Sequence, residues 1–263
     1  MGILSNTPIF TFTDVQTSLV SAAEKFKLEG FAAALNEQFG HPDNFRNMSF
    51  EERLKNCFAS ESEVQISKRF KRLCQKSYLP RKVWFSSLNL PETVIHPNDL
   101  LKLSELKFLV NKRNVVLMGK TGVGKTSLAI ATAVAAMEKG YSAVFYRMNE
   151  LVAQIDGRDR EAIGKLKVKL KNIHLLVIDD YGLDELNDQV VYGLNEIADA
   201  RYNVGSTIFT TQLNRKGLTA VKDKAFVYDS LFDKLFNDSG VYIQISGESK
   251  RGKAGEARGE GKE

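Results

Sequence analysis

The chain has 263 residues, 43% of them hydrophobic and 26% charged, with a formal net charge of +5 at pH 7. That length carries one good-sized core plus a smaller unit, and no stretch approaches the roughly 18 uninterrupted apolar residues of a membrane helix. Met1-Gly2-Ile3-Leu4-Ser5-Asn6 shows neither a signal-peptide nor a myristoylation pattern, and Cys57 and Cys74 are too few for a disulfide framework and match no zinc spacing. These features predict a cytoplasmic protein with reduced, core-facing cysteines and no membrane partner; the basic balance favours an anionic one.

The first third reads as helical. Leu28, Phe31, Ala32, Leu35 and Phe39 recur at helical spacing, with Gly40 as a stop. Ser49 with Glu52, and Ser60 with Glu63, have capping-box spacing and predict two further helix starts. The second of these helices is expected to bury Val64, Phe70, Leu73 and Cys74. From Ile66 to Lys82 the chain carries Lys68, Arg69, Lys71, Arg72, Lys76, Arg81 and Lys82 with no acidic residue. Such a run is either a solvated face or a nucleic-acid contact, and its one-sidedness favours contact through Lys68, Arg69, Lys71, Arg72 and Lys76.

Pro80, Pro91 and Pro97 mark a linker over 81–99 between a helical domain, 1–80, and a core, 100–250. Leu100–Val110 is predicted as a helix. Strands at 115–118, 143–146, 174–178, 206–211 and 241–245 then alternate with helices at 126–139, 149–155, 188–203 and 228–236, the pattern of a parallel α/β sheet. Lys165 to Lys171, with lysines alternating with Leu166, Val168 and Leu170, fits a strand by period or a helix with repelling lysine pairs. Either form presents a positive cluster that includes Lys165 and Lys167. Residues 251–263, rich in Gly, Lys and Glu, are predicted to be disordered.

The chemistry concentrates in Gly119-Lys120-Thr121-Gly122-Val123-Gly124-Lys125-Thr126, a G-x-x-x-x-G-K-[ST] loop between a strand and a helix beginning near Ser127. Gly122 and Gly124 let successive N–H groups turn inward, and the helix N-terminus adds partial positive charge, so the loop cradles phosphates. Lys125 would reach the β- and γ-phosphates and Thr126 would ligate Mg²⁺. The apolar run His174–Ile178 closes on Asp179 and Asp180. A buried parallel strand delivers such residues to the ligand edge of the sheet, where Asp179 is placed to hold Mg²⁺ and Asp180 to polarise an attacking water. Gln212, ending the next strand, is placed to orient that water or to sense the γ-phosphate. Asp179-Asp180-Tyr181-Gly182 also fits a GTPase D-x-x-G, but Thr211 to Gly217 has no aspartate to grip guanine, so ATP is the expected nucleotide.

These residues resemble the IstB-like branch of AAA+ ATPases. The likeness runs through Ser104–Leu109, Asn114–Gly119, the phosphate loop, Leu176–Leu183, Ser206–Leu213 and Gly247–Arg251, and reaches back to Leu28–Phe31 and Ser49–Leu54. The resemblance implies an α/β AAA+ P-loop core with a parallel sheet, preceded by a small all-α domain; the few residues after Arg251 are expected to be too short for a full helical lid. It also implies a homo-oligomer assembled with ATP on duplex DNA that recruits or stimulates a transposase, with nucleotide shared between subunits. Relatives carry arginine where this chain has Lys234; a lysine supplies charge without the planar fork. Either Lys234 substitutes weakly, Arg201 serves instead, or hydrolysis is slow. Arg251 matches the arginine of the family's terminal motif and would contact nucleotide. The same resemblance extends to DnaC-type loaders of a replicative helicase, the alternative partner. A small P-loop kinase or GTPase acting alone is the third reading.

Overall fold

A computed structural model describes residues 12–182, 186–214 and 240–247. The chain divides into two compact units, 1–71 and 72–263. In the first, α1 (Asp14–Lys25) begins in a capping box between Thr13 and Gln16, and α2 (Glu29–Gly40) packs against it. Val20, Ala23 and Ala32 form the small core, with Leu28, Phe31, Leu35 and Phe39 packed around them, as the spacing predicts.

Helix α3 (Phe50–Gln75) starts at the expected Ser49–Glu52 capping box, with reciprocal bonds of 2.8 and 3.2 Å. The second predicted start, at Ser60 and Glu63, does not exist, because α3 runs through it. The residue that matters there is Glu61. Its buried carboxylate accepts the N–H groups of Gly30 at 2.8 Å and Phe31 at 3.2 Å, while Gln65 donates at 2.6 Å. The N-cap of α2, Leu28, offers no side-chain acceptor, so a carboxylate on another helix satisfies the orphan amides. Gly30 permits the approach: a Cβ there would stand 2.4 Å from the Ser60 carbonyl oxygen. Val64, Phe70, Leu73 and Cys74 are only half-buried, whereas Cys57 is buried; both cysteines are free.

The second unit holds a five-stranded sheet, all parallel, in the order β2-β3-β4-β1-β5. The strands are β1 (Val115–Met118), β2 (Ala143–Arg147), β3 (Leu175–Asp179), β4 (Ser206–Thr211) and β5 (Val241–Gln244). One face, through Val116, Met118, Val144, Tyr146, Leu176, Ile178 and Phe209, packs on α7 (Met148–Ala153), α8 (Arg160–Lys171) and α9 (Asp188–Arg201). The alternate residues Val115, Leu117, Phe145, Val177 and Ile208 are buried too, as period-two strands covered on both faces require. The Ala-rich α6 (Lys125–Glu138), which contacts β1 to β4, is buried along most of its length.

Two expectations change here. Leu100–Val110 is not one helix: α4 (Pro97–Glu105) stops at Leu106, whose φ is +62°, and α5 (Lys107–Val110) restarts. The left-handed turn costs about 1–2 kcal/mol, and full burial of Leu103, Leu106 and Leu109 offsets it. The Lys165–Lys171 ambiguity resolves as helix, α8, capped by Asp159 and burying Ile163, Leu166 and Leu170. Its lysine repulsion is relieved by partners: Lys165 pairs with Glu161 at 2.7 Å, Lys167 with Glu196 at 2.6 Å, and Lys169 donates to the hydroxyls of Tyr78 and Tyr146. The predicted helix at 228–236 lies outside the described residues. No helix among those described is long and apolar enough to cross a membrane.

Candidate nucleotide site

The phosphate loop leaves the C-terminal end of β1, where Gly119 N–H donates to Thr211 O at 3.2 Å. Gly122 (φ +82°) and Gly124 (φ +107°) take the left-handed backbone that turns the loop on itself. Val123 is buried and anchors the loop, while Lys120 and Thr121 are exposed. Lys125 opens α6 and is buried; its ammonium donates to Gly119 O at 2.7 Å and Lys120 O at 2.8 Å. Two loop carbonyls thus fix the cation in the loop's centre, where a phosphate would meet it.

Strand order decides what faces the loop. Because β4 lies between β1 and β3, its C-terminal residues fall between the phosphate loop and the acidic pair. Thr126 Oγ1 donates to Asp179 Oδ1 at 2.9 Å, and Thr210 Oγ1 donates to the same oxygen at 2.6 Å. Thr210 Oγ1 also accepts the Asp180 N–H at 2.9 Å. This pins Asp180 at φ +60°, a conformation rare outside glycine, and leaves its side chain exposed. Gln212 is exposed as well, its Oε1 accepting from Thr121 Oγ1 at 2.7 Å. Thr121 with Gln212, and Thr126 with Asp179 and Thr210, therefore form two hydrogen-bonded groups at the C-terminal ends of β3 and β4.

Burial pushes the Asp179 carboxyl above the usual carboxylate range, against the hydroxyls of Thr210 and Thr126. The neighbouring Asp180 charge adds to the rise and Arg147 opposes it. Arg147 ends β2 in register with Asp179. Thr126 and Asp179 supply adjacent hard oxygens, a donor set that fits Mg²⁺ when completed by phosphate and water. Among the described residues no cluster of three or more His, Cys, Asp or Glu side chains competes for a metal.

Arg201 is a correction. It is only 3% exposed, and its guanidinium donates to the carbonyls of Leu170, Ile173 (2.8 Å) and Ser206 (2.6 Å) and to Thr207 Oγ1 (3.3 Å). Desolvation by burial lowers its pKa to about 10. A side chain fixed inside its own core is not available to a neighbouring subunit. Lys234 and Arg251 lie outside the described residues. Lys68, Arg69, Lys71 and Arg72 lie exposed on α3, with Lys76 just beyond it, and Lys68 pairs with Glu29 at 2.6 Å. Thr210, Arg147 and Arg81 were not legible as site residues from spacing, since each reaches the site through tertiary placement. Arg81 donates to Ser127 Oγ at 2.8 Å.

A parallel sheet with β1 inserted beside β4, a phosphate loop after β1 and an acidic pair after β3 define an ATP-binding core of AAA+ type. The crystal structure of DnaI shares this fold at a TM-score of 0.55, with 17% identity over 65% of this chain and 96% of that one. AMPPCP-bound DnaA from Aquifex aeolicus does so at 0.53, with 18% identity over 66% and 52%. The chain belongs to the IstB-like ATP binding protein family, which matches residues 21–257. The ATP-binding protein assigned to insertion sequence IS1162 of Pseudomonas fluorescens is 30% identical over 205 residues, 74% of this chain and 85% of the relative. Its counterpart assigned to IS232 of Bacillus thuringiensis subsp. berliner is 26% identical over 237 residues, 89% and 93%.

Proposed function

We propose that this chain is an ATP-hydrolysing, DNA-binding AAA+ protein that assembles with ATP on duplex DNA and recruits or stimulates the transposase of an insertion sequence. The observation that carries the reading is the apposition of Thr126 and Asp179 at 2.9 Å beside a loop whose Lys125 is already centred on its carbonyls. Lys125 binds the β- and γ-phosphate oxygens. Thr126 and Asp179 would hold Mg²⁺, which supplies charge neutralisation to those oxygens when bound. Asp180, held outward by Thr210, polarises the attacking water, and Gln212, tied to Thr121, orients it. In this reading Lys234 of a neighbouring copy supplies positive charge and Arg251 contacts nucleotide. Lys68, Arg69, Lys71, Arg72 and Lys76 bind the DNA backbone. Lys165 and Lys167 also contact DNA in this reading, each giving up a glutamate partner, as Lys68 gives up Glu29.

The test is duplex DNA binding at low salt with and without ATP. The full chain should bind DNA in an ATP-dependent way, Lys125→Ala should lose ATP binding, and Asp180→Asn should accumulate ATP-bound oligomers on DNA. Absence of ATP-dependent DNA binding in the parent protein overturns the proposal. Capture of a replicative helicase in place of a transposase would replace the partner and keep the ATP site.

A further inference from the structure

Arg81 falls in the basic run that reads, in sequence, as a nucleic-acid contact followed by a linker. Its placement says otherwise. The guanidinium donates to Ser127 Oγ at 2.8 Å. Ser127 is the third residue of α6, directly after Thr126, and its side chain leans toward the N-terminus of the helix, the end that carries the phosphate loop. A fixed cation here lies against the positive end of the helix dipole, an unfavourable place unless an anion joins it. No ion pair of Arg81 is present among the described residues. The rest of the segment follows the loop's rim: a Cβ on Gly124 would meet Leu90 Cδ2 at 3.8 Å, and Ser246 N–H donates to Val94 O at 2.8 Å, just past β5.

We propose that Arg81 is a phosphate-binding residue supplied in cis, contacting the α-phosphate of the bound nucleotide. The assignment to that phosphate follows from position. Lys125 is fixed on the carbonyls of Gly119 and Lys120 at the β/γ end of the loop. Ser127 lies one residue beyond Thr126 in α6, further along the helix than Lys125. Arg81 thereby ties occupancy of the loop to the segment 81–94. The inference rests on the reading that this loop binds ATP.

The experiment is titration of the full chain with ATP and with ADP, for the parent protein and for Arg81→Ala, Arg81→Gln and Arg81→Lys. Both nucleotides carry the α-phosphate, so both should bind about tenfold more weakly to Arg81→Ala, the low end for an exposed charge-assisted bond. Arg81→Gln, which keeps a donor for Ser127 but removes the charge, should lose a similar factor, and Arg81→Lys should recover part of it. A mere tether would leave Arg81→Gln near the parent affinity, which overturns the proposal. Weakening of ATP alone also overturns it, since that outcome places Arg81 at the γ-phosphate. If the parent protein binds neither nucleotide, the ATP-site reading fails first and the role of Arg81 with it.

Discussion

Thr210→Val tests the hydrogen bonds that hold Asp179 and Asp180 most sharply. The side chain is fully buried, and its one hydroxyl both donates to Asp179 Oδ1 at 2.6 Å and accepts the Asp180 N–H at 2.9 Å. Valine has nearly the same shape, so the change removes bonds rather than volume. Losing a hydrogen bond to a carboxylate costs about 1.5–3 kcal/mol, and stranding the part-buried Asp180 N–H costs up to about 1–3 kcal/mol. Burying a methyl in place of a hydroxyl returns about 1 kcal/mol. The net destabilisation is about 1.5–5 kcal/mol, which at a slope of about 2 kcal/mol per molar urea moves the unfolding midpoint down by about 0.8–2.5 M. Chemical denaturation followed by circular dichroism measures it, with Thr210→Ser as the control that keeps the hydroxyl. The same variant should slow ATP hydrolysis more than it weakens ATP binding, because Thr210 positions Asp180 and does not touch the phosphate loop's backbone. A midpoint unchanged for valine, or one that moves equally for serine, would refute the assignment.

Two further outcomes follow from the buried charges. Arg201→Met should strip donors from three carbonyls and a hydroxyl at once and destabilise the core by at least about 3 kcal/mol, seen as loss of soluble folded protein. A stable, folded variant defective only in hydrolysis would restore Arg201 as a residue acting between subunits. For Glu61, the hydrogen bond from Gln65 and then those from the α2 amides hold the carboxyl below its ordinary range. A depressed folded-state pKa contributes stability that is present above the unfolded value, about 4.3, and is lost as pH falls through the folded value. Glu61→Gln should remove that acid-sensitive part, so the parent and variant helical signals should converge as pH drops below about 4 and diverge near neutrality. Parallel pH profiles would show that Glu61 does not cap α2.

The local elements were largely legible because their causes are local. The loop Gly119–Thr126 needs only glycines at left-handed positions and a helix behind it. The apolar runs closing on Asp179 and Gln212 announce buried parallel strands. Where sequence reasoning failed, two effects competed within reach of the same residues. Ser60 and Glu63 have capping spacing, yet α3 runs through them, and Glu61 between them accepts the amides at the start of α2 instead. Arg201 offered the right charge at a helix end, and only the fold revealed that its partners are backbone carbonyls just before β3 and at the start of β4.

By itself, then, the chain's sequence determined that a triphosphate loop and an acidic strand end exist, since each depends on residues adjacent in the chain. Which groups lie between them was decided by tertiary structure. Hydrogen bonding places β4 between β1 and β3, so Thr210 bridges the two aspartates, Gln212 reaches Thr121, and Arg81 comes from a segment outside the sheet to the start of α6. Strand order is set by the packing of both sheet faces, a sum over many distant apolar contacts, and no spacing along the chain records it.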